Sequence, residues 1–224
     1  MILGIYGAGG LGREVLVLAR QINRSEPRWQ DMVFIDDSAS TATLKDKPVF
    51  TLAEIQNRYS AGDIEIAIAV GEPAVRRILR TKVANAGFRL ATLVHPSVIL
   101  SEDTTLGEGA IICCQNFLSC DVQIGRNVLM QPCASIGHDS VIGDDSVIST
   151  YVCIAGGCRI GDEAYIGLQV AVREKGQIGS RSIIGMSSSV VRDIPDDVIA
   201  LGNPARVVKE NTEHRVFHKT SQEG

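Results

Sequence analysis

An aliphatic side chain stands at every sixth position across the second half of the chain. The series runs Val94, Leu100, Leu106, Ile112, Leu118, Ile124, Met130, Ile136, Ile142, Ile148, Ile154, Ile160, Ile166, Val172, Ile178, Ile184 and Val190, with no insertion or deletion. A helix of 3.6 residues per turn cannot keep a strict six-residue column on one face, so the period excludes a helical reading. Self-similarity at fixed spacing marks a solenoid, in which each repeat buries its apolar side only against its neighbours. The residue after the aliphatic one is often glycine (Gly107, Gly125, Gly137, Gly143, Gly161, Gly167, Gly179, Gly185), which suits a corner that turns sharply or needs positive φ. Four residues after it, small side chains dominate: Ala110, Ala134, Ser140, Ser146, Cys158, Ala164, Ser182 and Ser188. One large and one small inward residue per hexad describe a triangular coil with three hexads to a turn. The 102 residues from Val94 to Pro195 make five and two-thirds such turns. Stacked coils bury continuous aliphatic columns and pair every strand edge except those at the ends. The period alone does not set the hand of the coil.

Residues 1–93 have another texture. Ile2 to Tyr6 reads as a buried strand, followed by Gly7-Ala8-Gly9-Gly10-Leu11-Gly12 and the helical pattern Val15, Leu16, Leu18, Ala19, Ile22. Met32 to Ile35 reads as a second strand ending in Asp36-Asp37, Ile64 to Val70 as a third, Pro73 to Ala86 as a helix, and Leu90 to Val94 as a last short strand. Strands alternating with helices indicate a parallel sheet. The glycine stretch fits G-x-G-x-x-G between strand and helix, and an acid follows the second strand. Those are the parts of a dinucleotide fingerprint, where backbone N–H groups and a helix N-terminus receive phosphate. Only one half of a doubly wound fold is present, however, and dinucleotides usually need both. The glycines therefore leave three readings: a nucleotide diphosphate, which is favoured, NAD, or a purely structural turn.

Composition narrows the classes. Aromatic residues are 4 % against 45 % hydrophobic overall, with 22 glycines, which suits tight corners and small aliphatic layers. A net charge of −4 gives no reason to expect nucleic acid or an anionic membrane as partner. No apolar run approaches the roughly 18 residues that span a bilayer. The N-terminus enters a glycine turn at once, without a basic n-region or cleavage site, so a cytoplasmic location is expected. The six cysteines (Cys113, Cys114, Cys120, Cys133, Cys153, Cys158) form no CxxC pair, and no histidines lie at zinc-finger spacing. They read as small buried fillers, and no metal is expected.

The GAGGLGREV turn, the FIDD and AVGEPAVR segments, His95-Pro96-Ser97 and the uninterrupted hexads together resemble the sialic-acid O-acetyltransferase/nucleotide-sugar N-acetyltransferase family of hexapeptide-repeat acyltransferases. The resemblance covers about residues 1–208. It implies an α/β N-terminal half-Rossmann domain over residues 1–93 that binds a nucleotide sugar. It implies a left-handed parallel β-helix over 94–208 that carries the acetyltransferase, then a polar C-terminal tail over 209–224. It further implies a homotrimer, with each active site between the β-helices of neighbouring subunits. The donor would be acetyl-CoA, used without a metal. The acceptor would be a nucleotide-linked amino sugar, such as a 4-amino-4,6-dideoxy sugar for bacterial surface glycans. A sugar hydroxyl as acceptor and a non-catalytic nucleotide-binding scaffold are the rival readings.

The stretch Ser135-Ile136-Gly137-His138-Asp139-Ser140-Val141-Ile142-Gly143 matches the family's catalytic His-acid pair. His138 would take the proton of the attacking group near neutral pH, and Asp139 would orient the ring and favour its cation. By the same resemblance the Gly156 N–H would steady the oxyanion. Leu168 and Met186 would contact the pantetheine arm and adenine end, with Gly202-Asn203-Pro204-Ala205-Arg206 near CoA. Gly7, Gly9, Gly10 and Gly12 would admit the diphosphate, and Asp36 and Asp37 would contact ribose or base. Gly71 and Glu72 would lie at the same sheet edge. Two departures stand out: Leu11, where many relatives have histidine, and Val147, where some have a second histidine. His95 reads as a structural landmark, while His214 and His218 fall in a tail, Asn211 to Gly224, expected to be mobile.

Overall fold

The computed structural model of the chain describes residues 1–217. Its first part is a sheet of six strands: β1 (Ile2–Tyr6), β2 (Asp31–Ile35), β3 (Thr43–Leu44), β4 (Lys47–Phe50), β5 (Ile64–Ile68) and β6 (Arg89–Leu90). Their order is β3-β4-β2-β1-β5-β6, and all neighbours are parallel except β3 and β4, which form a hairpin. Helix α1 (Gly10–Ser25) covers one face, and α2 (Leu52–Arg58) and α3 (Pro73–Asn85) the other. With β2 on one side of β1 and β5 on the other, the connections reverse direction beyond the carboxyl end of β1. Open α/β sheets bind their ligands at such a switch point.

The strand read as Leu90 to Val94 is two strands. Arg89–Leu90 pairs with β5, whereas Leu93–Val94 pairs with Ile111–Ile112 and opens the coil. From there two-residue strands recur every six residues and pair every eighteen, Ile112 with Met130, Leu118 with Ile136 and Ile124 with Ile142. The result is a parallel β-helix with three faces. Face one holds the strands through Val94, Ile112, Met130, Ile148, Ile166 and Ile184, face two those from Leu100 to Val190, and face three those from Leu106 to Ile178. From Ile112 onward the aliphatic columns and the small residues four places on, Ser140, Ser146, Cys158 and Ser182 among them, are buried together in the centre, while Leu100 at the open end is exposed. The last coil is two residues short, since Ile184 pairs with Ala200. The antiparallel hairpin Val198–Leu201 and Arg206–Glu210 then covers the open edge of face one.

Stacking explains the glycines. Positive φ falls on the third residue after each aliphatic, from Gly109 to Ser187, and most of these residues are not glycine. The glycine directly after the aliphatic answers instead to close approach between coils. A methyl group at Gly161 would lie 2.4 Å from the Ser180 nitrogen, and one at Gly137 2.5 Å from that of Gly156.

Face one does not meet solvent. Its outward residues Leu93, Ile111, Leu129 and Val147 join one core with Leu3, Ile5 and the α1 residues Val15, Leu16, Leu18 and Ala19. Helix α1 is therefore apolar on two sides, packed between its own sheet and the coil.

Two expectations change. Only Cys158, at an inward position, is buried; Cys120 and Cys153 are exposed because corners and strand positions before the aliphatic one point outward. The tail is docked over 211–217: Asn211 is buried and donates to the Arg181 carbonyl, His214 Nε2 lies 3.0 Å from Asp197, and the Phe217 ring meets Tyr165 edge-on at 5.6 Å. His218 lies outside the described residues.

Candidate active site

His138 sits two residues after Ile136, at the corner between faces two and three. Asp139 follows in the left-handed conformation at φ 59°, which Asp tolerates better than most residues. The corner is tied to the coils on both sides, Asp139 N–H to the Cys120 carbonyl at 3.2 Å and Gly157 N–H to the His138 carbonyl at 2.7 Å. His138 Nδ1 lies 2.7 Å from Asp139 Oδ2. When Nδ1 donates its proton there, Nε2 is left as the basic nitrogen.

Nε2 looks onto residue 156, the equivalent position of the next coil. A methyl group at Gly156 would lie 2.6 Å from it, so the ring lies directly over bare backbone. The Gly156 N–H makes no hydrogen bond among the described residues. The N–H groups of Cys120 and Glu174 on the same corner are open as well, whereas at the corner between faces three and one four of the five equivalent groups are occupied, that of Glu108 being the exception. Arg126 donates to Asp144, Asp144 to Asp162, Asp162 to Ser180, and Ser180 to Asp196, each a side chain of the following coil. Among these open groups, that of Gly156 is the one beneath an imidazole. Such a pair can accept a proton from a nucleophile and hold a developing oxyanion. The corner is open, with the His138 and Asp139 side chains 63 % and 65 % exposed.

Leu168 and Met186 are not brought to this corner. They lie on the other edge of face two, in a column with Cys114, Pro132 and Thr150, and are 43 % and 71 % exposed. The turn Gly202 to Arg206 is held beside that column, with Gly202 N–H on Ser188 Oγ and Ala205 N–H on the Ser189 carbonyl. Between the two edges, face two presents Ile99 and Phe117 to solvent.

At the switch point, Gly7, Asp36 and Asp37 line a cavity of about 300 Å³ with Tyr6, Ser38, Val70, Val75 and Leu79. Gly7 has φ 121°, and a methyl group there would lie 2.6 Å from the Ala69 carbonyl oxygen. One at Gly12 would lie 2.0 Å from the Gly7 carbonyl oxygen, so packing alone requires both glycines. Gly9 and Gly10 face open space, which leaves room for a ligand at the start of α1. Asp36 accepts from Ala8 N–H at 3.1 Å and from Ser38, so it shapes the glycine turn. Asp37 accepts from Tyr6 at 2.6 Å, Lys82 at 2.8 Å and Leu52 N–H at 3.0 Å. Burial opposes its ionisation, but those hydrogen bonds, led by Lys82, outweigh it and hold the carboxyl below its ordinary range. Burial, reinforced by the Asp37 carboxylate, pushes the Tyr6 phenol up. Two ionised carboxylates accept hydrogen bonds and repel phosphate, so their wall suits hydroxyl or base N–H groups. Gly71 and Glu72 are turned to the C-terminal segment: Glu72 accepts from Val216 and Phe217 N–H at 3.0 Å, and Phe217 lies beside Gly71.

A larger cavity of about 550 Å³ lies between α1 and the first coils, lined by Arg13, Glu14, Lys45, Cys113, Cys114, Pro132 and His95. Gly10 lines it too and is the one of these that sequence reasoning nominates, with His95 read as a landmark. No sequence motif joins them; the docking of α1 on the coil does. Leu11 packs partly buried against the shared core, and Val147 is buried within it. Among the described residues, no group of three or more His, Cys, Asp or Glu is placed to hold a metal, and no helix is long and apolar enough to cross a membrane.

Residues 3–83 match the PglD N-terminal domain family. A GDP-perosamine N-acetyltransferase of Escherichia coli is 29 % identical over 160 residues, covering 70 % of this chain and 69 % of its own. The acetyltransferase domain of PglB from Neisseria gonorrhoeae, solved with acetyl coenzyme A, superposes with TM-score 0.86 at 29 % identity, over 92 % of this chain and 98 % of that one. A variant of perosamine N-acetyltransferase from Caulobacter crescentus, solved with CoA and GDP-perosamine, gives TM-score 0.85 at 26 % identity, over 94 % and 98 % of the two chains.

Proposed function

We propose that this chain, a relative of the nucleotide-sugar N-acetyltransferases of the hexapeptide-repeat family, transfers the acetyl group of acetyl-CoA to the amine of a nucleotide-linked amino sugar. The observation that carries the reading is the His138–Asp139 pair lying over the open Gly156 N–H. Bound acetyl-CoA supplies an activated acyl carbon. His138 Nε2 accepts the proton released as the amine attacks, and Asp139 steadies the resulting imidazolium. Gly156 N–H donates to the thioester oxygen as negative charge gathers there, and collapse of the tetrahedral intermediate breaks the C–S bond, CoA leaving as a thiolate that can take the proton back from His138. Holding both substrates in attack geometry accounts for much of the remaining rate.

Residues 1–93 are the acceptor domain in this reading. The nucleotide lies at the switch point, with its diphosphate at Gly9 and Gly10 and ribose or base hydrogen-bonded near Asp36 and Asp37. The 94–208 domain carries the transfer, its coil left-handed as in the family. The donor residues Leu168 and Met186 and the base His138 occupy opposite edges of face two, so one copy cannot bring them together. A cyclic homotrimer packed through face two sets one edge of each copy against the other edge of the next, and the exposed Ile99 and Phe117 fit burial there.

The test is thiol release from acetyl-CoA with UDP-, dTDP- and GDP-linked 4-amino sugars and their 4-hydroxy counterparts. Release with a single amino sugar is expected. Release with hydroxy sugars alone would make the chain an O-acetyltransferase, and silence throughout would reduce it to a binding scaffold.

A further inference from the structure

Arg76 of α3 is wholly buried, yet every hydrogen bond it donates ends on a neutral oxygen. Nε and Nη2 reach the Asn127 carbonyl at 2.9 and 2.6 Å, and Nη2 also reaches Asn127 Oδ1 at 2.8 Å. Nη1 reaches the carbonyls of Ile68 at 2.7 Å and Val70 at 2.9 Å. Burial pushes its pKa down to about 10, so it stays charged at neutral pH. The carboxylate that offsets this is Asp145, itself held by Asn127 Nδ2 at 2.7 Å and by Arg80 at 2.6 Å. Fixing a helix to a coil does not require a buried cation, because apolar residues do it at less desolvation cost. What the guanidinium adds is geometry: its planar fork spans two pieces of backbone at once.

One piece is the corner of the coil at Asn127. The other is the carboxyl end of β5, whose Val70 walls the cavity at the switch point beside Gly7 and Asp36. Two more residues of that wall, Val75 and Leu79, belong to α3 itself. We propose that Arg76 is a positioning residue for the acceptor, holding the Ile68 and Val70 carbonyls to the Asn127 corner and so setting where the nucleotide lies relative to the coil that carries the transfer site. The inference rests on the nucleotide-sugar reading of that cavity. Displacements near 1 Å between reacting groups cost about a hundredfold in rate, so such a brace has a kinetic consequence.

The test uses the full-length protein and calorimetric titration with free UDP, dTDP and GDP, then CoA, followed by steady-state kinetics. Arg76→Lys keeps the charge but loses the fork. It is expected to weaken binding of the preferred nucleotide about tenfold, to raise the acceptor KM alike and to lower kcat by up to about a hundredfold, while the CoA Kd stays unchanged. Asn127→Ala, a milder cut of the same brace, is expected to give a smaller change in the same direction. Arg77→Gln breaks the exposed ion pair of the same helix with Glu163 without touching Asn127, Asp145 or Val70, and should leave nucleotide affinity within about twofold. A folded Arg76→Lys or Asn127→Ala with unaltered nucleotide affinity would overturn the inference. So would equal weakening of CoA, or an equal loss in Arg77→Gln. A wild type that binds none of the three nucleotides sinks the inference together with the acceptor reading. A wild type that binds one, shows the Arg76 effect and transfers no acetyl group supports the inference while the transferase reading fails.

Discussion

The imidazole of His138 can lie over the following coil because residue 156 has no side chain. Restoring one methyl group puts a carbon 2.6 Å from Nε2 and 2.7 Å from Cε1, so the ring must swing away. The backbone of the corner need not move, since His138 is an exposed side chain. Gly156→Ala is therefore expected to lower kcat by about a hundredfold through displacement of the base. His138→Ala should lower it by roughly 10²–10⁴-fold. Both should melt close to the wild type, and thiol release alongside a thermal melt checks each. Full activity in Gly156→Ala would show that the ring position over this corner is not used, since the substitution leaves the backbone N–H in place. The two residues differ in how far the sequence discloses them. His138-Asp139 stands out by chemistry in a run of small and apolar residues. Gly156 looks like any corner glycine, and what sets it apart, the His138 ring lying over its backbone, becomes visible only when the coils are stacked.

Along the coil, inward hydroxyls act as rungs between turns. Ser146 Oγ donates to the Gly161 carbonyl at 2.8 Å and accepts from Ala164 N–H at 3.0 Å, fully buried. Ser149, three residues on, is also buried, but its Oγ has no partner among the described residues. Ser146→Ala strands a buried donor and acceptor and should cost about 1–3 kcal/mol. Ser149→Ala removes an unpaired hydroxyl and should be neutral or slightly stabilising. Denaturant unfolding of the two variants measures the difference, and the opposite order would refute the rung assignment. The six-residue column was legible because burial at one position per hexad leaves a type signature. Positive φ left none: it falls on Gln115, Tyr151 and Lys175 alike, imposed by stacking and not by residue preference. The β3–β4 hairpin went unread for a related reason, since Lys45 and Asp46 both take positive φ without the Asn-Gly signal. Helix α2 did carry a signal, the Thr51–Glu54 capping box, but its seven residues are too short for apolar periodicity to show.

Across the whole molecule, most of what was hidden concerns contacts between distant segments. The sequence divides at about residue 93, yet α1 and face one share a single core. Helix α3 adds Arg77 to Glu163 at 2.9 Å and Arg80 to Asp145 at 2.6 Å along the coil. The tail returns to Glu72, 144 residues earlier in the chain. None of these pairings has a local pattern. The packing of copies through face two proposed above makes a prediction of its own. If each site joins the His138 edge of one copy to the Met186 edge of the next, two differently damaged chains can repair one another. His138→Ala and Met186→Asp should each be nearly inactive alone. Co-expressed, they form mixed trimers in which one kind of boundary combines an intact His138 edge with an intact Met186 edge. Activity should then return to a sizeable fraction of the wild type, measured by thiol release on tagged, doubly purified mixed trimers. A site contained within one chain cannot behave this way, because every chain in the mixture carries a lesion. Mixed trimers as inactive as their parents would therefore place the base and the donor groove in the same copy and remove the shared-site geometry.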